Sequence, residues 1–169
     1  MTIDEIAEKI DNYANTYSIL LETCKSLGIL LDSSPLYNFR DALVHYQILY
    51  NATNPNIKLS QETSIMEHLN RGLKDGYYFI LLNLKIGIHN EINNIQQNSP
   101  EQARNLRTIL HRYKSLELAL RRPEIIDLDT IINYINNLIP LLQETRNMFH
   151  KYKIKWNFGK YIIYCNKIN

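Results

Sequence analysis

Apolar residues along this chain recur every three to four positions rather than alternating with polar ones, which is the period of amphipathic helices and not of strands. In residues 3–27 the series Ile3, Ile6, Ile10, Tyr13, Tyr17, Leu20, Leu21, Cys24 and Leu27 traces one stripe and predicts a long first helix, with either Gly28 as its stop or the apolar Ile29-Leu30-Leu31 extending it by a turn. A second helix is expected from about residue 35 to 51. Ser34 is its N-cap, and Pro35 takes the first helical position, where a missing N–H costs nothing. Phe39, Ala42, Leu43 and Tyr46 make the stripe it turns to a core. Residues 51–56, with Pro55 among small polar residues, read as a loop. The third and longest helix is expected from near Ser60 to beyond residue 90, with Gly72, Gly76 and Gly87 marking close helix contacts or a bend. Ser99-Pro100-Glu101-Gln102 sets out an N-cap, a first-position proline and a capping-box glutamine, opening a fourth helix that runs to about Leu120. Arg121-Arg122-Pro123 breaks it. The fifth starts near Asp127 or Asp129 and continues towards Lys155, with Pro140 predicting a kink or a division into two. The sum is an all-α fold, a four- to five-helix up-and-down bundle.

Composition narrows the class without naming an activity. At 169 residues the chain reads as a single helical domain over 1–169, with a short tail over 156–169. A formal charge of +2 does not announce nucleic-acid binding, so any basic footprint has to be local. Cys24 and Cys165 have neither metal-ligand spacing nor the numbers for a disulfide framework, which fits a reducing, cytoplasmic setting. The early residues Asp4, Glu5 and Glu8 do not form a secretory signal. The most apolar run, Tyr77 to Ile88, is interrupted by Asn83 and Lys85 and is too short to span a bilayer, so no membrane partner is expected.

Several chemistries are missing from the sequence. It has no glycine-rich phosphate loop, no His-Glu-x-x-His, no Cys-x-x-Cys and no serine elbow, and no histidine has a glutamate three residues before it. An enzyme of this composition would work with His, Arg, Asp and Tyr, without a metal or cofactor. That set suits RNA cleavage through the ribose 2′-hydroxyl. The substrate brings its own nucleophile, and the protein adds a proton shuttle and a cation for the crowded phosphate. The strongest candidates are Arg40, Asp41 and His45 on the second helix. Asp41 and His45 are four apart and share a face, so the carboxylate can orient the imidazole. Arg40 is five before His45, about 140° round the helix. A long guanidinium has to bend towards the site, or a second copy has to complete it.

Arg40-Asp41-Ala42-Leu43-Val44-His45 resembles the motif of HEPN-domain ribonucleases, an Arg and usually a polar residue followed after four to six positions by a His. The resemblance implies a helical bundle that dimerises with two motifs facing one cleft, and metal-independent cleavage of RNA by toxins or antiviral-defence effectors. It makes His45 the general acid or base, Arg40 the clamp on the transition state and Asp41 the orienter. It also implies RNA as substrate, a homodimer, and an antitoxin or defence-system protein as a further partner. Other members lack the activity and only bind, so a catalytically inactive module for a protein partner or RNA is the alternative. The residues also admit a plainer account, with Arg40 and Asp41 as surface charges and His45 as a packed imidazole. Arg104, Asn105 and His111 form a second, looser match, and Arg107–His111 adds a helical pair. Lys151, Lys153, Lys155 and Trp156 are candidates for holding phosphates and stacking bases. The polar run from Glu67 to Asp75, which includes His68, reads chiefly as a solvated helix surface.

Overall fold

In the computed structural model, which describes residues 1–26, 28, 29, 31, 33–95, 99–120 and 127–154, the chain forms five helices. They are α1 (Ile3–Ser26), α2 (Ser34–Asn51), α3 (Pro55–Ile95), α4 (Pro100–Leu120) and α5 (Leu128–Lys151). No strand occurs among the described residues, and the all-α bundle expected from the periodicity is the observed architecture. No helix among them is long and apolar enough to cross a membrane.

The helix ends follow local chemistry. At the end of α1, Gly28 takes a left-handed φ of 70°. Its N–H donates to the Lys25 carbonyl, and the N–H of Ile29 donates to that of Cys24, a paired closure that satisfies the last carbonyls. Asp127 caps α5 by accepting the Thr130 N–H at 2.7 Å. In α4 the carbonyl of Ser99 accepts the Ala103 N–H, as its predicted capping position requires.

Two boundaries differ from expectation, and at Pro140 the expected division into two helices is not observed. The cap residue of α2 is Ser33, not Ser34, because Pro35 occupies the second helical position and the Ser34 side chain turns to α3. Helix α3 starts at Pro55, several residues before Ser60, with Asn54 accepting the N–H groups of Asn56 and Lys58. Residues 55–60 are all exposed, so no buried residue marks those turns in the sequence. Helix α5 passes Pro140 as one element. Pro140 and Asn136, whose carbonyl loses its usual partner there, are both exposed, so water can replace the missing bond.

Helix α3, at 41 residues about 60 Å long, is the axis that all four other helices touch. Its buried residues include Ile65, Leu69, Leu73, Tyr77, Ile80, Leu84 and Ile88, which meet Tyr13 and Leu20 of α1, Tyr113 of α4 and Ile135 and Leu142 of α5 in one cluster. Helix α2 packs most closely of all. A Cβ on Gly72 would lie 2.3 Å from Tyr13 Oη and 3.0 Å from Asn38 Cβ, and one on Gly76 would lie 2.8 Å from Pro35 Cγ. Tyr13 locks this junction by donating to the Pro35 carbonyl at 2.6 Å and stacking on Phe39 with centroids 5.2 Å apart. Two of the three glycines of α3 thus mark the close contacts the sequence suggested.

Candidate active site on the α2–α3 seam

Ser34, Asn38, Asp41 and His45 follow one another along α2 at intervals of three and four, and so share a face. On α3, Gln61, His68 and Asp75 repeat every seven residues, two turns apart. The helices run antiparallel and the two rows meet. Ser34 Oγ donates to Asp75 Oδ2 at 3.2 Å, His68 Nδ1 faces Asn38 Oδ1 at 3.2 Å, and His45 Nδ1 faces Gln61 Oε1 at 2.6 Å. The glycine contacts described above bring the backbones close enough for these short side chains to reach.

The amides decide the tautomers. Asn38 Nδ2 donates to the Ser34 carbonyl at 3.0 Å, which turns Oδ1 towards His68. An amide oxygen only accepts, so Nδ1 of His68, and likewise Nδ1 of His45 against Gln61 Oε1, carries the proton and donates. Each neutral ring therefore holds its lone pair on Nε2. Among the described residues neither Nε2 has a hydrogen-bond partner. Both rings are half-buried, and they stack with centroids 5.3 Å apart and planes 20° from parallel.

Asp41 does not play the part the spacing assigned it. Asp41 Oδ1 accepts from Arg40 Nε at 3.0 Å and from Nη2 at 2.7 Å, and Gln61, not Asp41, orients His45. The reason is reach. The guanidinium beside Asp41 forks onto its carboxylate at the surface, while the Nδ1 edge of His45 turns towards α3. The Asp41 carboxyl is held below the usual carboxylate range chiefly by the Arg40 hydrogen bond, with lesser contributions from the charges of Arg40, His68 and His45. The Arg40 guanidinium also lies 5.5 Å from the Tyr37 ring centroid. This position is on the outer side of α2.

That outer side is apolar. Leu43, expected in the core-facing stripe, is exposed instead, while Ala42 is buried and Phe39 and Tyr46 are half-buried against the core. Leu36, Leu43 and Tyr50 repeat every seven residues and are 53%, 42% and 67% exposed; Tyr37, Val44 and Ile48 flank them. Helix α2 thus carries one apolar face inward and another outward, with Arg40 on the outward one.

The remaining candidates do not gather at this seam. Asn105 donates to Tyr152 Oη at 2.6 Å, tying α4 to the end of α5, and Arg104 is exposed. His111 lines a cleft between α3 and α4 together with Arg107. Lys151 is exposed, with its ammonium 5.7 Å from the Tyr152 ring centroid. Lys153 has a left-handed φ of 53°, and its N–H donates to the His150 carbonyl in closing α5, so its backbone has a structural task. Lys155 and Trp156 lie outside the described residues. Cys24 is buried, which pushes its thiol up to about 12 and removes it as a nucleophile. Among the described residues no three His, Cys, Asp or Glu side chains are grouped so as to hold a metal ion.

His68, expected on a solvated helix surface, is half-buried in the seam. Its signal was the seven-residue spacing Gln61–His68–Asp75, which matches the seven-residue step from Asn38 to His45 on the neighbouring helix. No family model, no curated protein and no solved structure matches the chain.

Proposed function

We propose that this chain is an endoribonuclease of the HEPN type, which cuts RNA through the ribose 2′-hydroxyl with His45 and His68 as its acid–base couple. The observation that carries this reading is the stacked imidazole pair, with each Nδ1 tied to an amide oxygen and each Nε2 without a partner among the described residues. One Nε2 takes the proton of the 2′-hydroxyl as its oxygen attacks phosphorus. The other, protonated, gives its proton to the departing 5′-oxygen. The products are a 2′,3′-cyclic phosphate and a 5′-hydroxyl. General acid–base catalysis of this kind is worth about 10²- to 10⁴-fold in rate for each group.

Arg40 supplies the positive charge for the phosphate. Its place among Leu36, Leu43 and Val44 on the outward face of α2 supports a homodimer in which α2 of one copy packs on α2 of the other. A seven-residue apolar repeat on an exposed helix face is what such a contact needs. Burying it would bring a partner's guanidinium to the seam and resolve the angular separation of Arg40 and His45 within one helix. The same face also fits the alternative, an inactive module that docks another protein there. Incubating the purified chain with single-stranded RNA in a chelator, and testing the ends for cyclic phosphate, separates the two readings.

A further inference from the structure

Helix α3 passes a second polar feature about 30 Å beyond His68, at His89, where α4 lies alongside. A cleft of about 350 Å³ opens between the two helices, lined by His89, Arg107, His111 and Lys114. It continues through His89, Leu110 and Lys114 into a neighbouring space of about 260 Å³, whose walls include Leu82 and Ile86. Among the described residues no carboxylate lines either part. The acid near its end, Glu117, is buried and paired with Lys85.

A cleft walled by charge of one sign focuses potential and raises the local concentration of the opposite charge. Phosphate suits this wall. Arginine meets it with a planar fork of donors, lysine with a point charge, and the two imidazoles with ring N–H groups. The adjoining apolar half is too large for a bare inorganic ion to use. Together the two halves have the size and mixed lining of a small-molecule site, usually about 300–1,000 Å³. We propose that the α3–α4 cleft binds a nucleoside monophosphate, with the phosphate among His89, Arg107, His111 and Lys114 and the base against Leu82, Ile86 and Leu110. The site is separate from the α2–α3 seam and does not depend on the nuclease reading.

The test is calorimetric titration of the full chain with AMP, adenosine and inorganic phosphate. AMP is expected to bind saturably and tighter than either fragment. The exposed pair His111→Gln/Lys114→Gln should weaken AMP at least tenfold with the helical circular dichroism intact, and His45→Asn should leave AMP affinity unchanged. A 5′-phosphorylated trinucleotide that displaces AMP makes a strand terminus the natural source; one that does not makes it a free nucleotide. Failure of both AMP and phosphate to saturate, or AMP affinity undiminished in the double variant, overturns the proposal. Either result can occur whether or not the chain cleaves RNA, so the two readings fail separately.

Discussion

His45 of α2 and His68 of α3 lie face to face, with ring centroids 5.3 Å apart and planes inclined by 20°. Each is held from behind by an amide oxygen, and the amide for His45 is Gln61. Gln61→Leu removes the acceptor and leaves the ring free to turn. The expected result is a fall in kcat smaller than the roughly 10²- to 10⁴-fold cost of losing a general acid or base, with KM unchanged. Steady-state cleavage kinetics check it, and an unaltered kcat would contradict the orienting role.

The seam exists because two glycines let α2 approach α3. Replacing Gly72 by Ala gains about 1 kcal/mol of helix propensity. Against that, the new Cβ would fall 2.3 Å from Tyr13 Oη, and Tyr13 is fixed by its bond to Pro35 and its stack on Phe39. Overpacking of this kind costs about 1–3 kcal/mol, together with a weakened buried hydrogen bond. Gly72→Ala is therefore expected to lower the urea midpoint despite its better propensity. A raised midpoint would mean that the junction yields without strain.

The architecture was legible because burial repeats at helical spacing through every helix, and the caps at Gly28, Ser99 and Asp127 carry the residues their geometry demands. The start of α3 was not, since its first turns bury nothing. The site was half legible. His45 and Arg40 stand in one local motif, whereas His68 and Gln61 join His45 through the pairing of two helices, so their seven-residue spacing gains its meaning only beside the matching step on α2. Leu43 was misplaced for a related reason. Helix α2 is apolar on two faces, so periodicity alone could not say which one the core would take.

The outward face of α2 gives a prediction about assembly. Leu43→Glu puts a charge in the middle of the seven-residue repeat at a side chain already exposed to solvent. The monomer fold should change by no more than about 0.5 kcal/mol. Sedimentation equilibrium is expected to show a dimer for the parent chain and a monomer for the variant. A monomeric parent, or a variant dimer of equal strength, would contradict the α2–α2 contact.

Asp127 caps α5 and its carboxyl is held below the usual range, mainly by its hydrogen bonds from Thr130. Asp127→Ala is expected to cost about 1 kcal/mol near neutral pH. A depressed folded-state value means the stabilisation is complete above the unfolded carboxyl value of about 3.9 and is lost as pH falls through the folded one. The gap between parent and variant should thus hold steady from neutral pH to about 5 and close in stronger acid. Urea titrations across that range measure it. A gap that widens in acid would mean the carboxylate is not what caps the helix.

The most direct measurement is the pH–rate profile of RNA cleavage, in the presence of a chelator, for the parent chain, His45→Asn and His68→Asn. The parent chain is expected to show a bell-shaped profile and to leave 2′,3′-cyclic phosphate ends. Each variant should lose one limb of the bell and about 10²- to 10⁴-fold in kcat while keeping its helical circular dichroism. No cleavage by the parent, or full activity with both limbs intact in either variant, would contradict the acid–base couple.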